Sequence, residues 1–458
     1  MRTRSAALAA VAVTAAAVLL AGCSSGSGGG SGSSSTPPSF GTKASGTLNA
    51  WGFNSPDEVG TSRLAYAKKK LDGVDIKIDQ TAFDAQKFTT RVASGNVPDV
   101  VQMDANLVAT YAAQGLIMPL DKCFSAHDVD PSSYYYPSVN DDVTYKGQIY
   151  AVPQFYQPPA IILNKKVMDA AGVTPAQINT SKPDELIAAA KKMYKASGGN
   201  PTTLGFNPVA SGQPGLWILG YGGRLTDANG KPTLDDPKNE KGLEVLKKIT
   251  DAQGGYAKIK SFSDSFDMFG ADNEFAKNQV GAEIDNQWYV NVLAPYASKL
   301  DITAVPFYAA DGKPFTVANG QGFVIPTAAK NKDAACAWAV DLTSPGAWDA
   351  AGAARAAKIA KTPGAFNTGL FTGIPSVDKK LRAQYVKPSG NEGFDQTIAT
   401  FYDIVGDGKS FGASPAGQQI NTELQNVISS VLLGKSSPAD ALKKAQASAQ
   451  RAYQQATK

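Results

Sequence analysis

The chain has 458 residues, 43% hydrophobic and 18% charged, with 44 basic against 40 acidic side chains and a formal charge of +4. That length and composition imply a folded protein of at least two domains, at about 150 residues each. The basic residues form no long run, which argues against a nucleic-acid partner. The single histidine, His127 in the polar stretch SAHDVDP, argues against a histidine-based metal site or a Ser-His-Asp triad and reads as a solvated loop residue.

Arg2 and Arg4 precede an apolar, alanine-rich run from Ser5 to Leu20, which ends in Leu20-Ala21-Gly22-Cys23. An apolar segment this short, with a basic start, is an export signal and not a membrane span. Its ending resembles the lipobox of bacterial lipoproteins. That resemblance implies cleavage before Cys23, diacylation of its sulfur, and attachment to the outer face of the cell membrane through buried methylene groups. Residues 24–39 are Gly, Ser, Thr and Pro throughout and read as a flexible tether. The match of Gly22-Cys23-Ser24-Ser25-Gly26 to a nucleophile elbow has no strand before it and no helix after it, so it carries no chemistry. With Cys23 lipidated, Cys123 and Cys336 remain. They either pair, in an oxidising compartment, or stand as two separate buried thiols. Two cysteines and one distant histidine make a poor zinc set.

From Thr47 the pattern alternates. Thr47 to Trp51 reads as a strand, followed by the loop GFNSP, a helix over Glu58 to Leu71, and a period-two strand over Val74 to Asp79. A helix over Phe83 to Ser94 ends at Gly95, and a buried strand covers Asp99 to Met103. This order predicts a parallel sheet with right-handed crossovers. After the polar turn around Gln102, Asp104 and Asn106, a helix runs from Leu107 and stops at Gly115. Ligands in open α/β sheets sit at the carboxyl ends of strands, where this turn lies.

Gly147 to Tyr156 is extended and ends in aromatics before Pro158-Pro159; Ala160 to Leu163 is a further strand, so the chain passes here from one lobe to another. Ser181 to Ala196 reads as a helix with Ser181 as its N-cap. Leu216 to Gly223 reads as a helix ending in a glycine turn; Gly220, Gly222 and Gly223 lack phosphate-cradle spacing. Asp227 to Lys231 is a turn. Val280 to Asp285, Ile302 to Pro306 and Gly322 to Pro326 are strands, and a long alanine-rich helix follows from about Lys332. Ile420, Leu424, Val427, Ile428, Val431 and Leu432 form a helical stripe closed by Gly434. Ser437, Pro438 and Asp440 open a last helix.

Several blocks, in order, resemble the extracellular solute-binding proteins of carbohydrate ABC importers, the group that includes maltose-binding proteins. They are the lipobox, Pro98-Asp99-Val100-Val101 through Gly115-Leu116 to Pro119-Leu120, Gly147 to Pro153, Leu163-Asn164-Lys165 and Asp184-Glu185-Leu186. Phe275 to Trp288, then Leu433-Gly434-Lys435 with Pro438-Ala439 and Ala441-Leu442, complete the set. The resemblance implies an α/β, two-lobe, periplasmic-binding-protein-like fold with an interlobe cleft. Its crossings fall near Val152 to Tyr156, Val317 to Gly322 and Thr362 to Ile374. It divides the chain into a signal (1–22), a tether (23–42), one lobe from 43–155 plus 320–365, and a second from 156–319 plus 366–458. It implies a monomeric receptor that binds a sugar, delivers it to ABC-transporter permease subunits, and has no cofactor, metal or catalytic residue.

Sugar hydroxyls need paired donors and acceptors, which amide and carboxylate side chains at strand ends supply. The expected polar contacts are Asn54, Gln102, Asp104, Gln154, Asn286, Asn319 and Gln321, with Tyr156 at the first crossing. Trp288 matches the family's stacking tryptophan. Trp51, Phe53 and Trp217 are further aromatic candidates, and Trp338 and Trp348 are assigned to packing. Asp104 and Asn106 have a competing role as helix caps. Two departures from the family pattern stand out. Asn286-Gln287 replaces Gly-Pro before the tryptophan, and the late cleft stretch SFGASPAGQQIN holds Phe411, Gln418, Gln419 and Asn421 but no tryptophan. Both imply a smaller or more polar solute than a long maltodextrin.

Two other functions compete. A secreted glycosidase needs two carboxyls about 5 to 10 Å apart, and only Asp104 with Asp285 offers itself, without a motif. The same fold holding a peptide, polyamine or osmolyte is the second; a cation there would want more acidic residues and an aromatic cage.

Overall fold

The computed structural model describes residues 39–209 and 215–458. The signal, Cys23 and most of the tether lie outside them. Among the described residues no helix is long and apolar enough to cross a membrane.

The first half follows the expected alternation: β1 (Gly46–Trp51), α1 (Glu58–Lys70), β2 (Val74–Asp79), α2 (Ala85–Ala93), β3 (Val100–Asp104) and α3 (Ala105–Ala113). β1 lies parallel between β2 and β3. Short acidic caps set the helix starts. Asp57 accepts from the Gly60 amide and Asp84 from that of Lys87, so α2 begins two residues after Phe83. Phe83 instead packs on Trp51 and Tyr111. Gly115 ends the α3 turn with φ +68°. The short helices α4 (Asp121–Ala126) and α5 (Pro137–Asp142) follow. His127 is the C-cap of α4, half-buried and with Nε2 enclosed, and so is not the solvated loop residue expected.

The chain then leaves this lobe between β4 (Val152–Tyr156) and β5 (Pro159–Asn164). β5 is the centre of a second sheet, flanked antiparallel by β6 (Ala282–Asn286) and β7 (Ile302–Val305). The chain returns as β8 (Gly320–Val324), which inserts antiparallel between β3 and β4. The first sheet therefore runs β2-β1-β3-β8-β4 and is mixed, not wholly parallel as expected. A five-stranded sheet packed with helices, its inner strands buried and its edge strand β2 partly open to solvent, makes an α/β lobe of the expected class.

Two expected helices are cut by local chemistry. The helix expected over Ser181 to Ala196 runs Pro183–Met193, because Ser181 Oγ is turned to Asn179 Oδ1 at 2.7 Å and does not cap it. Lys195–Ser197 and Asn200–Thr203 instead form a hairpin around Gly198 and Gly199, both at positive φ. The late alanine-rich helix breaks at Ser344-Pro345 into α6 (Lys332–Thr343) and α7 (Pro345–Ile359). Pro345 has no N–H to continue α6, and Ser344 caps α7 through the Ala347 amide. At the C-terminus α8 (Gly417–Leu432) buries the expected stripe, and α9 (Pro438–Ala456) starts at the Ser437 cap.

Two hydrophobic cores result. The first gathers Trp51, Phe88, Met103, Phe323, Trp338 and Trp348, the last two in the packing role expected. The second gathers Ile161, Trp217, Leu243, Phe307, Leu424 and Val431. Cys123 on α4 and Cys336 on α6 form a disulfide across 213 residues of sequence, which decides between the two readings of these thiols.

Candidate functional site

The site is built where the chain crosses between the sheets. β3 ends at Asp104 beside β8, with Gln321 opposite Asp104 and Phe323 opposite Gln102. The register places three polar side chains in one line. Gln102 Nε2 donates to Gln321 Oε1, and Gln321 Nε2 donates to Asp104 Oδ1 at 2.9 Å. Asp104 occupies the N-cap position of α3 but makes no side-chain cap bond. Its carboxylate is committed to Gln321 and to open space, not to its own helix. Asn319 and Gly320 complete the crossing, and the Asn319 carbonyl accepts from the Gln157 amide at 2.7 Å.

A cavity of about 390 Å³ opens here. On one side it is lined by Asp104, Asn106, Asn319 and Asp142, and on the other by Leu225, Phe411, Asn421 and Gln425. A smaller adjoining recess adds Phe155 and Gln321. Polar amide and carboxylate groups thus share a concave space with the Phe411 ring, and Phe155 lies in the adjoining recess beside Gln321, the usual form of a small-molecule site. Thr110 on α3 donates to the Ser414 carbonyl at 3.3 Å, and the Gln418 amide donates back to Thr110 Oγ1 at 3.3 Å, so α3 and the start of α8 touch at the cavity's edge.

Asp142, at the end of α5, is the most perturbed group of the cavity. Burial pushes its carboxyl up to about 7, against the lowering effect of the hydrogen bond that Ser410 Oγ donates to it. No sequence signal marks it, since PSVNDD reads as an ordinary helix end.

The expected residues divide into groups. Asp104, Asn319 and Gln321 come together at the cavity, Gln321 bonding both Asp104 and Gln102, which is buried behind them. Phe411 and Asn421 line it from the late stretch, but Gln418 and Gln419 do not. Gln419 is turned to Glu423 and Ser448. Gln154 and Tyr156 on β4 are fully enclosed in the first core, Gln154 with Oε1 unbonded. Asn54 is exposed at the end of β1, away from the cavity lining. Gly52 before it, at φ +98°, brings β1 against Gln102, whose carbonyl a Cβ there would meet at 3.0 Å. Asn286 is buried at the end of β6, its Oδ1 without a partner among the described residues. Trp288 is half-buried, stacked on the exposed Phe269 ring at 6.1 Å and 14°.

Three aromatic candidates are corrected. Trp51 is 1% exposed, its Nε1 bound to Thr81 and its face covered by the Arg91 guanidinium at 4.4 Å. Phe53 is packed edge-on to Trp338. Trp217 donates to the Pro208 carbonyl and packs on Phe307 in the second core. A tryptophan that has satisfied its N–H and buried its ring has no face left for a ligand. The carboxyls of Asp104 and Asp285 do not share the cavity either, since Asp285 is buried within β6 and lies outside the lining.

The sequence profile of bacterial extracellular solute-binding proteins matches residues 57–349. The diacetylchitobiose binding protein DasA of Streptomyces coelicolor is 26% identical over 260 residues, covering 54% of this chain and 56% of that protein. The match thus spans about half the length of that relative. Among solved structures, CpMnBP1 with mannotriose bound is 26% identical with a TM-score of 0.70, covering 88% of this chain and 99% of that one. The GacH receptor of Streptomyces glaucescens, 20% identical with a TM-score of 0.65 over 90% of this chain and 99% of that one, shares the fold. So does the sugar-binding protein MalE of Xanthomonas citri, at 18% identity and a TM-score of 0.68 over 89% and 98%. With the two-lobe α/β architecture and the profile match over most of its length, the chain belongs to the bacterial extracellular solute-binding protein family.

Proposed function

We propose that the protein is the substrate-binding component of an ABC importer, which captures a monosaccharide or short oligosaccharide outside the cell and hands it unchanged to permease subunits. The observation that carries this is the cavity at the crossings. Asp104, Asn106, Asn319 and Asn421 offer paired acceptors and donors, and Phe411 offers a flat apolar face. Hydroxyl groups at a sugar's rim need the first set, and the C–H face of a pyranose ring suits the second. Asp104 is free to accept from a hydroxyl because its carboxylate does not cap α3. Support also comes from relatives, one named for diacetylchitobiose binding and one solved with mannotriose.

Capture follows from the topology. The lobe of residues 43–155 plus 320–365 and that of 156–319 plus 366–458 close on the solute, with the backbone bending at Gln157-Pro158 and Ala318-Asn319. Such hinges absorb the φ/ψ change at element ends. Trp288, on the second lobe, supplies a further stacking surface together with Phe269. The mature chain is a monomer held to the outer face of the membrane by the lipid on Cys23.

A panel of mono- and oligosaccharides scanned by thermal shift tests the reading. A sugar at a hundred times its dissociation constant adds about 2.7 kcal/mol of stability. A flat response across the panel, with a peptide or polyamine shifting the transition instead, overturns the sugar assignment.

A further inference from the structure

The chain's positive charge is concentrated at its end. Residues 433–458 carry Lys435, Lys443, Lys444, Arg451 and Lys458 against Asp440 alone, five cations to one carboxylate. That net +4 equals the formal charge of the entire chain, so the other 432 residues balance to zero. All five cations are exposed, and among the described residues none is in an ion pair. Other helices of the second lobe differ. Lys247 and Lys260 each meet an aspartate one turn on, Asp251 and Asp264, at 2.8 Å. Asp440, the one acid on α9, is turned back to its N-cap, where Ser437 Oγ donates to it at 2.7 Å.

Helix geometry gathers this charge on one side. At about 100° per residue, Lys443, Lys444 and Arg451 fall within an arc of about 100°. Ala441, Leu442, Ala445 and Ala449, the buried residues of α9, occupy the far side and join the second core. Lys458 follows the last turn. Where α8 hands over to α9 an open groove of about 750 Å³ has Lys435 and Lys444 on its walls, beside the hydroxyls of Ser429, Ser430 and Ser436. Glu423, also on its wall, is engaged by Gln419 and Asn426. Leu433 stands 41% exposed at the same place, one of two large apolar side chains so exposed among the described residues.

We propose that the basic face of α9, with the groove at its start, docks on an anionic phospholipid surface. Unpaired cations on one helix face repel one another, and a negatively charged plane relieves all of them at once. The cations meet headgroup phosphates, the serine hydroxyls donate to phosphate oxygens in the groove, and Leu433 enters the headgroup boundary. The apolar face of α9 stays in its own lobe, so the helix lies on the bilayer and does not enter it. Proximity follows from the lipid anchor proposed above. Cys23 is sixteen residues before Ser39, where the described chain begins, and sixteen residues reach at most about 55 Å. The contact is a second hold on the membrane, sensitive to salt where the lipid is not.

The test is co-sedimentation of the mature chain, residues 23–458, with vesicles of phosphatidylcholine alone or mixed equally with phosphatidylglycerol. Cys23→Ser in every sample removes the anchor, so the outcome does not depend on lipidation, nor on which solute the crossing cavity holds. Partitioning is expected to be at least tenfold greater on the phosphatidylglycerol vesicles and to collapse between about 50 and 500 mM NaCl. Replacing Lys443, Lys444 and Arg451 together by Gln is expected to weaken it about a hundredfold, near fivefold for each cation. Replacing Lys68, Lys69 and Lys70 by Gln removes the same charge from the exposed end of α1 and is expected to leave partitioning unchanged. The three α9 positions are exposed, so the melting temperature of that variant should stay at the starting value. Equal partitioning on both vesicle types, or equal loss in the α1 and α9 variants, overturns the proposal. Absence of binding to either vesicle also overturns it, and leaves the basic face to an acidic protein partner.

Discussion

Asp142→Asn isolates the price of one buried carboxyl at the cavity. Asp142 is 7% exposed and its pKa is raised from 3.8 to about 7, burial being the largest cause. An acid with a raised folded pKa binds its proton more tightly in the native state. Between pH 3.8 and 7 the native state thus holds more protons here than the unfolded chain, and stability from this group falls as pH rises through that window. Each pKa unit is about 1.4 kcal/mol, so about three units come to roughly 4 kcal/mol at pH 8. Asparagine cannot ionise, and its amide oxygen still accepts from Ser410. The variant should match wild type near pH 3.5 and exceed it by up to about 4 kcal/mol at pH 8. Urea unfolding of both proteins, at half-unit steps from pH 3.5 to 8.5, reads the difference directly. Asp378, raised by burial to about 7 but outside the cavity, contributes the same slope to both proteins and cancels. Parallel stability curves for the two proteins would refute the argument, since an Asp142 that ionises normally leaves nothing for asparagine to relieve.

Three further perturbations separate packing from recognition. Trp217→Ala should cost about 3–5 kcal/mol in chemical unfolding, as expected for a fully enclosed ring, whereas Trp288→Ala should lose sugar affinity with a smaller change in unfolding midpoint. The reverse pattern would exchange their roles. Breaking the disulfide by Cys123→Ala with Cys336→Ala should cost up to about 5 kcal/mol by the loop-entropy account for thiols 213 residues apart, measured as a lower midpoint that added dithiothreitol does not shift further. Gly417→Ala places a Cβ 2.5 Å from the Asn106 carbonyl, where α8 meets α3. It should force the cavity edge apart, raising the radius of gyration in small-angle scattering and weakening the best-binding sugar about tenfold, with an unchanged scattering profile counting against it.

Local signals were legible where local chemistry decides. Val74–Asp79 matched its alternation, and Ser437, Pro438 and Gly434 marked the last two helices, because period and caps are set within a few residues. The antiparallel β8 was not legible as such. GFVIP announces a strand, but its direction and neighbours depend on a partner more than 200 residues earlier. Trp51, Phe53 and Trp217 misled for a related reason. An aromatic at an element end looks the same in sequence whether its face meets a ligand or an arginine, and only Arg91 and Phe307 in place decide it. Ser181 failed because Asn179, two residues before it, competes for the same hydroxyl. Asp104, Asn319 and Gln321 lie at the cavity, where strand ends open in this architecture. Asp142 was missed because its distinction is burial, which no local pattern records.

The return of β8 between β3 and β4 also fixes an order of events during synthesis. The Gln321 that bonds Asp104 is 217 residues downstream. At about 5–20 residues per second that is roughly 10–40 s during which β3 leaves the ribosome without its neighbour. β1, β2 and β3 are a sheet with an uncovered edge for all of that interval, and the thiol of Cys123 waits nearly as long, 213 residues, for Cys336. The nascent chain therefore has no stopping point at which one lobe is finished. A fragment ending before Gly320 lacks an inner strand of its own first sheet, the one that joins β3 to β4, and should be a substrate for holding chaperones rather than a domain.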